Sequence, residues 1–390
     1  MAAFHEDLRT VSASPARAEA FLPTTTVQAH ASNLLRLADG TLLCAWFGGS
    51  QEGCADISIH LSRLAPGARA WAAPPQRVSD DAARSEQNPV LFAAPDSPNE
   101  LWLLYTAQPA GHQNRAVVQK RVSTDAGATW TAASQLFPEV GAFVRQPLVV
   151  LDDGTWVLPI WYCRAPPGFQ WTGSDDVSAV RFSSDRGASW AERPVPASAG
   201  CVHMNIRRVP DGSYLAFFRS RWADRVYRST SPNGLDWSPP APTVLPNPNS
   251  GIAFDVLPSG RVALVFNDSA ASPDMRRREG LYDDITPEAE KLRNQPAVGG
   301  REAIWGTPRK ALSFGVSDDL GLSWTWSVLE ETDGYCMTNN SKDKINREAS
   351  YPSIVAAEDG EVHVAYTYFR QRIKYVRITE EFALSKPVKA

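Results

Sequence analysis

The chain of 390 residues carries 39 Lys and Arg against 43 Asp and Glu, a net charge of −4. That balance excludes the basic face of a nucleic-acid binder, and 43% hydrophobic with 21% charged residues excludes global disorder. No apolar run reaches the roughly 18 residues needed to cross a membrane, so no membrane partner is expected.

In chain order, residues 1–19 hold His5, Glu6, Asp7, Arg9 and Arg17 and no apolar export segment, which predicts a cytoplasmic protein. From there to the C-terminus one unit recurs: a polar triplet, an apolar strand, a turn of Asp-Gly type, and a second strand rich in aromatics. Its six copies start at His30, Gln87, Arg145, His203, Ser250 and Ser350. Each reads as a β-hairpin, because the turn residues supply the positive-φ or Asx geometry of a tight reversal. The first four starts are 57 or 58 residues apart, the next interval is 47 and the last 100. A four-stranded blade needs roughly 40–50 residues, so the pattern predicts an all-β, single-domain, six-bladed β-propeller over residues 1–390. The excess before the sixth copy is an insertion, about 269–306, in which TPEAEKLR (Thr286 to Arg293) predicts a short helix.

A second motif follows several hairpins. STDAGATW from Ser123, SSDRGASW from Ser183 and SDDLGLSW from Ser317 share Ser-x-Asp-x-Gly-x-Ser/Thr-Trp, and TSPNGLDW from Thr230 is a degraded copy. Asp and Ser can hold the turn, Gly permits it and Trp packs between sheets, so these aspartates are structural. The cysteines, Cys44, Cys54, Cys163, Cys201 and Cys336, are odd in number and contain no C-x-x-C pair. They read as free thiols, and neither a structural metal nor a cofactor is expected.

In a propeller the inner strands line a channel, so the starts of inner strands and the ends of second strands converge on one face. The first set gives His30, Asn33, Gln87, Asn88, Arg145, Gln146, His203, Asn205, Ser250, Ser350 and Tyr351; the second gives Glu52, Gln108, Tyr162, Arg164, Arg219, Arg221, Asn267, Tyr368 and Arg370. Such a ring can bind a polar ligand, its arginines suiting a carboxylate, or satisfy itself and channel water.

The hairpins and Asp-boxes make the chain resemble the sialidase (neuraminidase) superfamily, in its bacterial branch of BNR-repeat proteins, over roughly residues 27–377. In that superfamily three arginines clamp a substrate carboxylate, a tyrosine activated by a glutamate is the nucleophile, and an aspartate on a first-blade loop is the acid/base. The resemblance puts Tyr351, in Ser350-Tyr351-Pro352-Ser353-Ile354, at the nucleophile, with Arg219 and Arg309 at two clamp positions. His30 stands where the first clamp arginine belongs, and His203 where the glutamate belongs. The acid/base loop falls on Gly48-Gly49-Ser50-Gln51-Glu52-Gly53, which makes Glu52 the acid/base; Asp56 reads as structural. Glu348 is either a rim residue or the carboxylate partner of Tyr351, and residues 334–346 read as a polar loop beside it. Arg145, Asn88, Asn205 and Arg370 complete the substrate-binding set.

Three functions follow as expectations. An exo-glycosidase would attack a terminal acidic sugar with Tyr351, His203 taking the phenol proton and Glu52 protonating the leaving oxygen. A lyase would β-eliminate a uronate, with Arg219 and Arg309 neutralising the carboxylate and His30 or Tyr351 taking the proton. A non-catalytic propeller would only bind glycan.

Overall fold

The computed structural model describes residues 4–97, 99–165, 167, 169–275, 278, 280–282, 284–285, 297 and 300–388. Six antiparallel sheets follow one another around a ring, the six-bladed β-propeller that the repeats predict. The inner strands are Gln28–Arg36, Ser85–Ala93, the paired fragments Ala142–Phe143 and Val149–Val150, Cys201–Arg208, Ala253–Val256 and Ala349–Ala356. The repeat fixes these strands because its turns are locally encoded. Gly40, Gly154, Gly212, Gly260 and Gly360 all turn at φ between 84° and 88°, a region that an L side chain resists. Beside four of them an Asp carboxylate accepts a backbone N–H two residues on, as in Asp39 to Thr41 and Asp153 to Thr155, both at 2.9 Å.

Blade 6 is built from both ends of the chain. Its inner strands, Ala349–Ala356, Glu361–Tyr368 and Arg372–Thr379, are followed outward by Ala16–Phe21 and Arg9–Ala13. Arg17 pairs with Ile378 and Phe21 with Lys374, so the ring is closed by hydrogen bonds between early and late segments. Residues 9–21 are therefore part of the propeller.

The predicted helix over Thr286–Arg293 lies outside the described residues. The described parts of the insertion fold over the channel mouth. Gly53 shows how closely: a Cβ there would meet Tyr282 Cε1 at 2.7 Å.

The Asp-boxes hold outer turns, as their residue types predict. Ser123 Oγ donates to Asp125 Oδ1 at 2.7 Å, and Asp125 also accepts Thr129 N–H at 2.8 Å. These bonds hold Asp125, Asp185 and Asp319 down at about 2. All three are exposed and remote from the channel, which leaves them a structural role. All five cysteines are free, four of them buried.

Candidate active site

One backbone device carries the site residues. Antiparallel register slips between His30 and Asn33, Gln87 and Val90, Val202 and Asn205, and Ser350 and Ser353. Within each slip sits a residue of positive φ: Ala31 at 59°, Asn88 at 52°, His203 at 57° and Tyr351 at 51°. A bulge leaves one residue unpaired and re-aims its side chain, and such a conformation is uncommon outside glycine. Four blades thus present the bulged position at the channel mouth, and two of them use it for His203 and Tyr351.

Tyr351 stands at the centre, 8% exposed. Its hydroxyl bonds Arg219 Nη1. The guanidinium carbons of Arg309, Arg219 and Arg145 lie 5.1, 5.4 and 5.7 Å from its ring centre. The His30 ring packs on it at 4.4 Å and the His203 ring edge-on at 5.7 Å. Burial alone would push the phenol up, but Arg219 and Arg309 outweigh it and hold Tyr351 below its ordinary value, against an opposing push from Glu52. A phenol with a lowered pKa is a better nucleophile or base near neutral pH.

The arginines divide into two kinds. Arg309 and Arg370 share the fully buried Glu348, Arg309 at 2.9 Å, and Arg370 also reaches Glu52. Burial opposes ionisation of Glu348, yet the two guanidiniums prevail and keep its carboxyl below the usual range. Glu348 is thus neither a rim residue nor hydrogen-bonded to Tyr351; it holds two arginines in place. Arg219, by contrast, has no carboxylate partner among the described residues: its Nε donates to Asn249 Oδ1 at 2.7 Å, and its Nη1 serves Tyr351 and lies 3.4 Å from His203 Nε2. A buried guanidinium without a counter-charge is costly, and an incoming carboxylate would relieve that cost.

Both histidines are neutral. Burial drives His30 and His203 well below the usual range, and the surrounding arginines add to it. His30 Nδ1 shares a hydrogen bond with Thr367 Oγ1 at 2.8 Å, while its Nε2 and the Nδ1 of His203 are buried without a partner among the described residues.

The remaining sequence-derived residues fall in different places. Glu52 faces the site; its loop is pinned by Asp56, which accepts Ser50 N–H at 2.9 Å. Arg145 donates through Nη2 to the carbonyls of Ser32 at 2.9 Å and of Tyr351 and Pro352, tying inner strands together beneath the tyrosine. Asn205 accepts the Phe254 N–H at 2.8 Å, a seam between blades 4 and 5. Asn88 offers its amide to Thr106 Oγ1 at 3.5 Å. The structure therefore brings Tyr351, Arg219, Arg309, Arg370, Glu52, His30 and His203 together, and uses Arg145 and Asn205 to hold strands.

Two contributors were not legible in the sequence as site residues. Tyr282 and Trp305 come from the insertion: the Tyr282 hydroxyl reaches Gln108, and Trp305 lies 5.0 Å from the Arg221 guanidinium and 5.9 Å from that of Arg219. Arg221 in turn pairs with buried Asp176 at 2.7 Å. Nothing periodic marks an inserted loop residue, so no pattern could have found them. Among the described residues no group of three or more His, Cys, Asp or Glu is arranged to hold a metal ion, and no helix is long and apolar enough to cross a membrane.

Comparison with solved structures returns propellers of the same kind. The Hadza microbial sialidase Hz136 aligns with a TM-score of 0.65 at 14% identity, over 91% of this chain and 66% of that one. A protein of unknown function from Dyadobacter fermentans gives 0.66 at 15%, over 96% and 99%. The NanB sialidase of Streptococcus pneumoniae gives 0.63 at 11%, over 91% and 68%. The chain spans 66% of the first of these sialidases and 59% of a Trypanosoma rangeli sialidase. At such identities the likeness is one of fold. No curated protein sequence matches the chain. The model of the BNR repeat-like domain does match, from residue 40 to residue 364. That span takes in three of the four inner bulges and every Asp-box, so on both repeat and sialidase-type fold the chain belongs to the BNR repeat-like domain family.

Proposed function

We propose that the protein is an exo-glycosidase that removes a terminal acidic sugar, with Tyr351 as the nucleophile. The observation that carries this reading is the Tyr351 hydroxyl on Arg219, a buried guanidinium that has no carboxylate partner among the described residues. In this reading the sugar carboxylate enters between Arg219 and Arg309. Tyr351 attacks the anomeric carbon, and its proton passes to His203, whose ring stands edge-on to the phenol with ring centres 5.7 Å apart. Glu52 protonates the departing oxygen and then activates the water that releases the sugar. Similarity to the solved sialidases supports the scaffold for this chemistry.

A second reading is β-elimination on a uronate. It is favoured by two neutral imidazoles flanking Tyr351, with no carboxylate hydrogen-bonded to the phenol among the described residues. Wild type and Tyr351→Phe are to be screened on sialosides and uronate glycans, reading both reducing ends and ultraviolet absorbance. Hydrolysis gives reducing ends alone; elimination adds the absorbance of a conjugated unsaturated acid. Tyr351→Phe is expected to lose turnover on the best substrate while keeping affinity. Full turnover in that variant rules out Tyr351 as nucleophile and, where the product absorbs, leaves His30 as the base of the elimination.

A further inference from the structure

Tyr282 belongs to the insertion between strands of blade 5, yet its hydroxyl ends among the amides of blade 2. It accepts from Gln108 Nε2 at 3.0 Å and Gln87 Nε2 at 3.4 Å, and lies 3.5 Å from Gln87 Oε1 as donor. Both glutamines are buried on the adjacent strands Ser85–Ala93 and Leu101–Gln108. One acceptor of this group, Gln108 Oε1, and the Nε2 donor of nearby Gln28 are buried with no partner among the described residues. Gln28 holds the Glu52 loop, its Oε1 accepting Glu52 N–H at 3.0 Å.

A hydroxyl that accepts from two amides and donates to a third atom has the bonding inventory of a sugar hydroxyl. Buried amide atoms left unpaired are costly, and their usual explanation is a missing ligand or water. The place also lies within electrostatic reach of the nucleophile. Burial, Glu52 and Tyr351 all push the Tyr282 phenol up, while the two amides partly offset them. Blade 2 faces blades 4 and 5 across the ring, and those blades supply Arg219 and Arg309.

We propose that Gln87 and Gln108 read a neutral, hydroxyl-bearing edge of the substrate sugar, and that the Tyr282 hydroxyl occupies that place until substrate displaces it. This inference rests on the acidic-sugar reading above. It makes Gln87 and Gln108 specificity-determining and Tyr282 an internal competitor whose release frees the mouth. The arginines then fix the acidic end of the sugar and the amides its hydroxylated end, which sets the orientation of the anomeric carbon over Tyr351.

The test combines calorimetric titration with N-acetylneuraminic acid and with D-glucuronic acid and amide hydrogen exchange of the peptide carrying Tyr282. It compares wild type, Tyr282→Phe and Gln108→Leu, each first checked for a cooperative melt. For the acid that wild type binds, Tyr282→Phe is expected to tighten binding about threefold, because the competitor is gone. Gln108→Leu is expected to weaken it about tenfold, because a hydroxyl is left unpaired. Exchange around Tyr282 should quicken in both variants without sugar, and in wild type with sugar. Weaker binding by Tyr282→Phe, or unchanged exchange in both variants, overturns the inference and leaves the acidic-sugar reading standing. Should neither acid bind wild type, the acidic-sugar reading fails and the inference that rests on it falls with it, an outcome distinct from weaker binding by Tyr282→Phe.

Discussion

Arg219 and Tyr351 define each other. The guanidinium lowers the phenol, and the phenol is the group that partly compensates a buried cation. If the phenolate is the reactive form, kcat/KM rises with pH through the depressed Tyr351 value. Arg219→Gln removes the first of the two stabilising charges, so the residual pH profile should move its rising limb to higher pH, and transition-state stabilisation should fall by about 2–4 kcal/mol. An unmoved limb means that Arg219 does not activate Tyr351. The resemblance singled out Tyr351, Arg219 and Arg309 because the hairpins and Asp-boxes, which short-range turn chemistry writes, let the family's motifs be laid onto this chain. It left Glu348 open between two roles and counted Arg145 among ligand-binding groups. Their partners lie on other strands: Glu348 bridges Arg309 and Arg370, and Arg145 caps carbonyls of blades 1 and 6. Such pairings depend on ring geometry, and no spacing along the chain encodes them.

At the level of the element, the Asp-box works by contact with the preceding blade. A Cβ on Gly187 would stand 2.4 Å from Trp102 Cη2 of blade 2, one on Gly234 would meet Leu151 Cδ2 of blade 3 at 2.6 Å, and one on Gly321 would meet Phe217 Cζ of blade 4 at 2.5 Å. Each of these three glycines is therefore both a turn of positive φ and a flat seat for a side chain of the preceding blade. Gly187→Ala has to adopt φ near 81° and displace an indole. It should destabilise by about 1–3 kcal/mol, read as a lower denaturation midpoint, with kcat/KM of the folded fraction unchanged. Altered catalysis at full stability would place the box in the active site. The hairpins and boxes were legible because short-range turn chemistry writes them. The insertion was legible only as excess length, since its anchoring at Tyr282 and Trp305 depends on partners up to 195 residues distant.

Over the whole molecule, acid is the condition to which the fold is most exposed. Four of the six histidines are held low: burial takes His30 and His203 well below the usual range and His60 and His363 to about 4. Their native values lie under the unfolded value of about 6.5, so the unfolded chain binds protons that the folded chain refuses. Their contribution is complete above about pH 6.5 and is lost progressively as pH falls toward 4. The melting temperature should therefore fall between pH 7 and pH 5, and His60→Gln, away from the site, should flatten that slope. A flat wild-type profile contradicts the assignment. The closure of the ring has a temporal side as well. Arg17 finds Ile378 only once the last blade exists, and at about 5–20 residues per second a ribosome needs roughly 20–70 s to cover that interval. Tyr351 lies in the blade completed by that meeting, so the reactive centre is the last part of the molecule to assemble, and a nascent chain carries an unsealed edge strand until the moment it becomes competent.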